Sequence, residues 1–121
     1  MDVAAKLQIR PDTRVAILHA PDGDEIALPE GCTPAAPAEA DAVVVFATTS
    51  AELETRMGPA LEAAKADRLA WIAYPKAGKL GTDLSRDRLR DLVLARGAAA
   101  VRQVAIDEVW SALRFRPGRR G

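Results

Sequence analysis

Cysteine and histidine each occur once in this 121-residue chain, as Cys32 and His19, and aromatic residues make up only 4% of it. A lone cysteine excludes an internal disulfide. One cysteine and one histidine also argue against a structural zinc site. Net charge is absent too: 17 basic side chains balance 17 acidic ones. A dedicated polyanion binder carries a basic excess, so a nucleic-acid protein is not expected. No apolar run is long enough for a bilayer, and the longest, such as 42–47, are strand-sized. Met1-Asp2 opens a polar segment without the basic and apolar regions of a signal peptide, so a cytoplasmic protein without a membrane partner is expected.

What is present is a core. Hydrophobic residues form 49% of the chain, too many for wholesale disorder. The length suits one domain, 1–121. Alanine is abundant and arginine greatly outnumbers lysine, a bias that GC-rich bacterial coding produces. Helices with alanine faces can pack closely, so small side chains should build much of the core.

Periodicity then divides the chain. Residues 3–7 allow a helical turn before Pro11, and 14–19 (RVAILH) read as a first buried strand. The pattern fails over 20–40. Asp22-Gly23-Asp24 is turn-like, and Pro29, Pro34 and Pro37 preclude a long element. A helical turn at 25–28 and a token edge strand at Cys32-Thr33 are the most it offers. The β-branched run 41–47 (DAVVVFA) is a strand covered on both faces. Thr49 and Glu52 have capping-box spacing, and Leu53, Met57, Leu61 and Ala64 form one helical stripe. Gly58-Pro59 interrupts it, predicting a kink or two short helices. Residues 69–74 (LAWIAY) make a third strand. A helix from Arg86 follows, with Ser85 as N-cap, Leu84 stapled to Leu89, and Gly97 as its stop. Residues 101–106 are a fourth strand. The alternation in 111–116 (SALRFR) predicts a partly exposed antiparallel strand, before a flexible tail at 117–121.

This order predicts an α/β domain: a mainly parallel sheet of about five strands with two main helices. In such sheets ligands bind beyond the carboxyl ends of the strands. Those ends supply His19, Thr48, Thr49, Lys76, Asp107 and Trp110. The loop 76–83, with Lys79, Thr82 and Asp83, leads to the same rim. Its two lysines and two glycines before a helix suit an anion, although the order is not that of a P-loop. Arg86 and Arg88 in the first turn oppose the helix dipole, which an anion or pairs with Asp83 and Asp87 would offset. Each rim residue also has a structural reading. His19 can be an acid/base group or a strand end, Asp107 a ligand or a turn cap, Trp110 a site aromatic or a plug for the sheet end. Arg114, Arg116, Arg119 and Arg120 make a basic tail on a strand edge.

Three segments, Tyr74-Pro75-Lys76, Thr82-Asp83-Leu84 and 107–115 (DEVWSALRF), resemble the signature of a family of small bacterial proteins of unknown function. The likeness spans nearly the whole chain and implies no activity. More distantly, 9–15 (IRPDTRV) and the last four strands resemble Rossmann-like S-adenosylmethionine methyltransferases. That resemblance implies the sheet order first, second, third, final, fourth, with the final strand antiparallel. Where that family has a glycine-rich turn, this chain has His19-Ala20-Pro21-Asp22-Gly23, and most of the next helix and strand is missing. A cofactor of that size would lack its cradle, so none is expected.

The expectation is a minimal Rossmann-like domain acting as a non-catalytic binding or regulatory module, its rim meeting a small anionic ligand or a protein partner. One alternative is a degenerate methyltransferase or small transferase using His19 and Lys76. Another is a purely structural interaction module, with the basic tail or an open sheet edge meeting a partner or a second copy as a homodimer.

Overall fold

A computed structural model describes residues 2–21 and 26–118. Among these residues lie one six-stranded mixed sheet and four α-helices, an α/β fold of small Rossmann-like form. The strands are β1 (Arg14–Leu18), β2 (Thr33–Pro34), β3 (Ala42–Phe46), β4 (Leu69–Pro75), β5 (Ala98–Ala105) and β6 (Trp110–Pro117). The helices are α1 (Val3–Lys6), α2 (Ser50–Arg56), α3 (Gly58–Lys65) and α4 (Arg86–Leu94). Sheet order is β2-β1-β3-β4-β6-β5. β1 to β4 run parallel, and β6 is antiparallel to both neighbours. Leaving aside β2, this is the order that the methyltransferase resemblance implies. None of the helices is long and apolar enough to cross a membrane.

The sheet is covered on both sides, which accounts for its sequence. All of β3 is at most 1% exposed, as its unbroken β-branched run demands. Val43, Val45, Ile72, Leu113 and Phe115 face α2, α3 and α4. Val44, Phe46, Trp71, Trp110 and Ala112 face the N-terminal segment, where Ala4, Leu7 and Ile9 are buried. Each large side chain removed from water contributes about 1.5–3 kcal/mol. Trp71 also has a polar handle: its Nε1 donates to the Leu7 carbonyl at 2.9 Å, fixing α1 to the sheet.

Local chemistry sets the helix ends. Thr49 Oγ1 accepts from Glu52 N, while Glu52 Oε1 accepts from Thr48 N at 2.8 Å, a capping box displaced by one residue. Pro59 lies in the first turn of α3, where its missing N–H costs nothing, so the apolar stripe becomes two helices. The interrupted stripe thus takes the second of the two forms expected for it, a pair of short helices, with α4 the other main helix. Ser85 Oγ accepts from Arg88 N and caps α4, and Leu84 and Leu89 are both buried beneath it. Gly97, at φ +101°, turns the chain from α4 into β5.

Several expectations change. The token strand exists as Thr33–Pro34, making six strands in place of five. Residues 26–28 are not helical, and the Asp22-Gly23-Asp24 turn lies outside the described residues. The final strand is antiparallel and exposed at Arg116 and Pro117, as expected, but it is not an edge: β6 lies between β4 and β5, which buries it from Trp110 to Leu113. Its arginines are tied down, Arg114 Nη1 to Gln8 Oε1 and Arg116 to both carboxylate oxygens of Asp67. Pro117 ends β6 opposite Ala98, and Gly118 N donates to the Gly97 carbonyl. The tail residues 119–121, with Arg119 and Arg120, lie outside the described residues.

Candidate functional site

The sheet directions bring the carboxyl ends of β1, β3, β4 and β5 and the start of β6 to one rim. Much of the predicted rim chemistry is engaged in holding loops. Thr82 Oγ1 donates to the Thr48 carbonyl and accepts from Leu84 N at 2.9 Å. Asp83 accepts from both Ser50 N and Ser50 Oγ and lies 4.0 Å from Arg88. These Ser50 bonds hold the Asp83 carboxyl below its ordinary range. Thr48, Ser50, Thr82 and Asp83 therefore form one clamp between the loop 76–83 and the β3–α2 junction, while Thr49 is taken up by its cap on α2.

Asp107 Oδ1 accepts from Val109 N and Trp110 N, both at 2.8 Å, shaping the tight turn between β5 and β6. Trp110 is 2% exposed and meets Phe46 edge-on, with ring centroids 5.1 Å apart. It plugs the core on the N-terminal face. His19 is exposed just after β1, at φ +64°. β3 lies between β1 and β4, so His19 stands about two strand spacings, roughly 10 Å, from the β4 end that carries Lys76. Among the described residues no hydrogen bond joins His19 to the loop 76–83.

Lys76 and Lys79 stand apart from the clamp. Lys76 N donates to the Val109 carbonyl at 2.7 Å, and Lys79 N donates to the Lys76 carbonyl. Gly78 and Leu80, at φ +80° and +54°, curl the loop back so that Lys79 and Leu80 are exposed at its tip. Among the described residues neither lysine has a carboxylate partner within 4 Å.

Lys76 borders a cleft that the sequence did not outline. Tyr74, Ser111 and Ala105 share one row across β4, β6 and β5, and Gln103 follows in the next row. The N-terminus of α4 brings Ser85 and Arg86 over these rows, enclosing about 440 Å³ together with Lys76. Gln103 Nε2 donates to the Tyr74 hydroxyl at 3.3 Å. Burial, the largest influence, pushes the Tyr74 phenol above its ordinary range, so it is neutral at physiological pH.

The cleft thus combines two cations, Lys76 and Arg86, with the hydroxyls of Tyr74, Ser85 and Ser111 and the Gln103 amide. Among the described residues Arg86 pairs only with its neighbour Asp87, at 3.2 Å, and both side chains are about 60% exposed. Such a pair is weak and can be exchanged for another anion. The sequence signals for this site were Lys76 at a strand end and Arg86 at the unfavourable end of a helix dipole. Among the described residues no group of three or more His, Cys, Asp and Glu side chains is arranged to hold a metal. Comparison with protein-family models, curated proteins and solved structures finds no match to this chain.

Proposed function

We propose that this chain is a non-catalytic binding domain, and that the cleft between the start of α4 and the β4–β6–β5 surface takes a small anionic ligand. The observation that carries this reading is the joining of Lys76 and Arg86 to neutral donors over one concave surface. The α4 N-terminus adds its own positive end. The lining residues are Tyr74, Lys76, Ala77, Ser85, Arg86, Gln103, Ala105 and Ser111. None is a histidine, cysteine or carboxylate that could act as a general base near neutral pH, which favours binding over turnover. Lys79, at the loop tip, would draw the anion inward. The clamp of Thr48, Ser50, Thr82 and Asp83 would set the loop's position, and Asp107 and Trp110 would fix the β6 end of the cleft.

Sheet order favours one second reading, a degenerate methyltransferase-like enzyme working at the β1 end of the rim near His19. The two readings separate in a thermal-shift screen with phosphate, phosphorylated metabolites and S-adenosylmethionine. The anion reading expects stabilisation by phosphorylated compounds, about 1.4 kcal/mol at ten times Kd. Lys76→Ala and Arg86→Ala should abolish it, and His19→Ala should not. Stabilisation by S-adenosylmethionine alone, lost in His19→Ala, would support the second reading. No stabilisation, with a discrete dimer on size-exclusion chromatography, would point to an interaction module.

A further inference from the structure

Arg86 and Gln103 border more than the cleft at the rim. They also line a second hollow of about 390 Å³, completed by Arg90, Ala100, Arg102 and Leu113, and a shallow one of about 250 Å³ with Ser85 and Asp87. Shared walls make the three one trough between α4 and β5. Its length follows from the strand: Ala105 to Ala100 is five residues, about 16 Å. The two larger hollows are each within the size range of small-molecule sites.

Charge along the trough comes in two groups. Lys76 and Arg86 stand at the rim end, and Arg90 at the inner end. Arg90 lies one helical turn below Arg86, about 6 Å along the axis. Between them lie Gln103, with Leu113 beneath it, and the exposed Asp87 carboxylate, which pairs with Arg86 and Arg90 and would have to swing aside for an anionic ligand. Among the described residues Arg90 is held only by exposed pairs, to Asp87 at 3.5 Å and Asp91 at 3.2 Å. A single phosphate can satisfy one end and leaves the other unused.

We infer that the ligand is an elongated small molecule with two anionic groups, one at each end, about 6–10 Å apart across a neutral spacer. This deepens the anion-site reading above and rests on it. Linking two anions makes the second contact intramolecular, so a ligand of matching length gains affinity without new kinds of contact. Too short a spacer forfeits one end, and too long a spacer loses effective concentration.

The test is calorimetric titration of the intact chain with inorganic phosphate and with linear α,ω-bisphosphates of increasing spacer length. Affinity is expected to pass through a maximum with length, the best compound binding at least tenfold more tightly than phosphate. Arg90→Ala and Lys76→Ala should each weaken that compound about tenfold, and the double variant should bind it no better than phosphate. Arg90 is exposed, and circular dichroism of Arg90→Ala and Arg90→Lys checks that the fold is retained. Phosphate binding with no dependence on spacer length, or an unchanged affinity in Arg90→Ala, would overturn the two-ended ligand and leave the anion site standing. Absence of binding by phosphate and by every bisphosphate would overturn both.

Discussion

Gln103 on β5 donates to the Tyr74 hydroxyl on β4 at 3.3 Å, reaching over the intervening strand β6. The bond requires both residues on the α4 face. Tyr74 is there because it sits opposite Ser111, two residues before the inward-facing Leu113. Gln103 is there because β5 has an irregularity between Ala100 and Arg102, which leaves Val101 as the extra residue. Without it, simple alternation from Ala100 would put Gln103 on the opposite face. A bulge in one strand therefore supplies the floor of the cleft.

Replacing Tyr74 by Phe tests that floor. Gln103 is accessible to solvent and can turn to water, so the expected loss of stability is about 0.5–1.5 kcal/mol, read from urea denaturation. Anion affinity should fall severalfold, because a neutral donor has gone from the cleft.

The loop clamp should matter more than the floor. Thr82→Val removes the bond to the Thr48 carbonyl and the acceptor for Leu84 N together. A loss of about 1–3 kcal/mol is expected in chemical denaturation. Hydrogen exchange should speed up in residues 76–84 before it does so in β3.

Acid sensitivity follows from three aspartates. Asp83 is held low by Ser50, Asp41 by the Arg14 backbone N–H and guanidinium, and Asp67 by Arg116. Each has a folded value below the ordinary 3.8. Each contribution is therefore complete above that value and is lost as pH falls through the lower folded one. Urea midpoints should hold steady from neutral pH down to mildly acid conditions and then decline below about pH 4. Asp83→Asn should be less stable at neutral pH and show a shallower acid decline.

Trp71 joins the N-terminal segment to the sheet. Trp71→Phe leaves the buried Leu7 carbonyl without its donor and opens space in the core. The expected cost is about 1–3 kcal/mol for the unsatisfied carbonyl, with an added packing loss. Exchange protection of residues 3–9 should fall first.

Much of this fold was legible because local signals agreed. The run at 42–47 could only be a doubly covered strand, Thr49 and Ser85 announced their helices, and Pro59 divided the apolar stripe. The position of β6 was harder: Arg114 and Arg116 suggest an exposed face, yet their charges are met by Gln8 and Asp67, distant in sequence. At the site, Lys76 was readable from its place at a strand end. Gln103 and Arg90 were not, since a bulge cannot be located by counting in twos and α4's arginines all look solvated. β3 stands between the strand ends that carry His19 and Lys76, as the expected sheet order had it.

The most direct test is an amide chemical-shift titration of the ¹⁵N-labelled chain with phosphate. Saturable shifts are expected at Lys76, Ser85, Arg86, Gln103 and Ser111, with little change at His19, and they should vanish in Arg86→Ala. Shifts confined to the β1 end around His19, or no saturable shifts at all, would contradict an anion site beneath the start of α4.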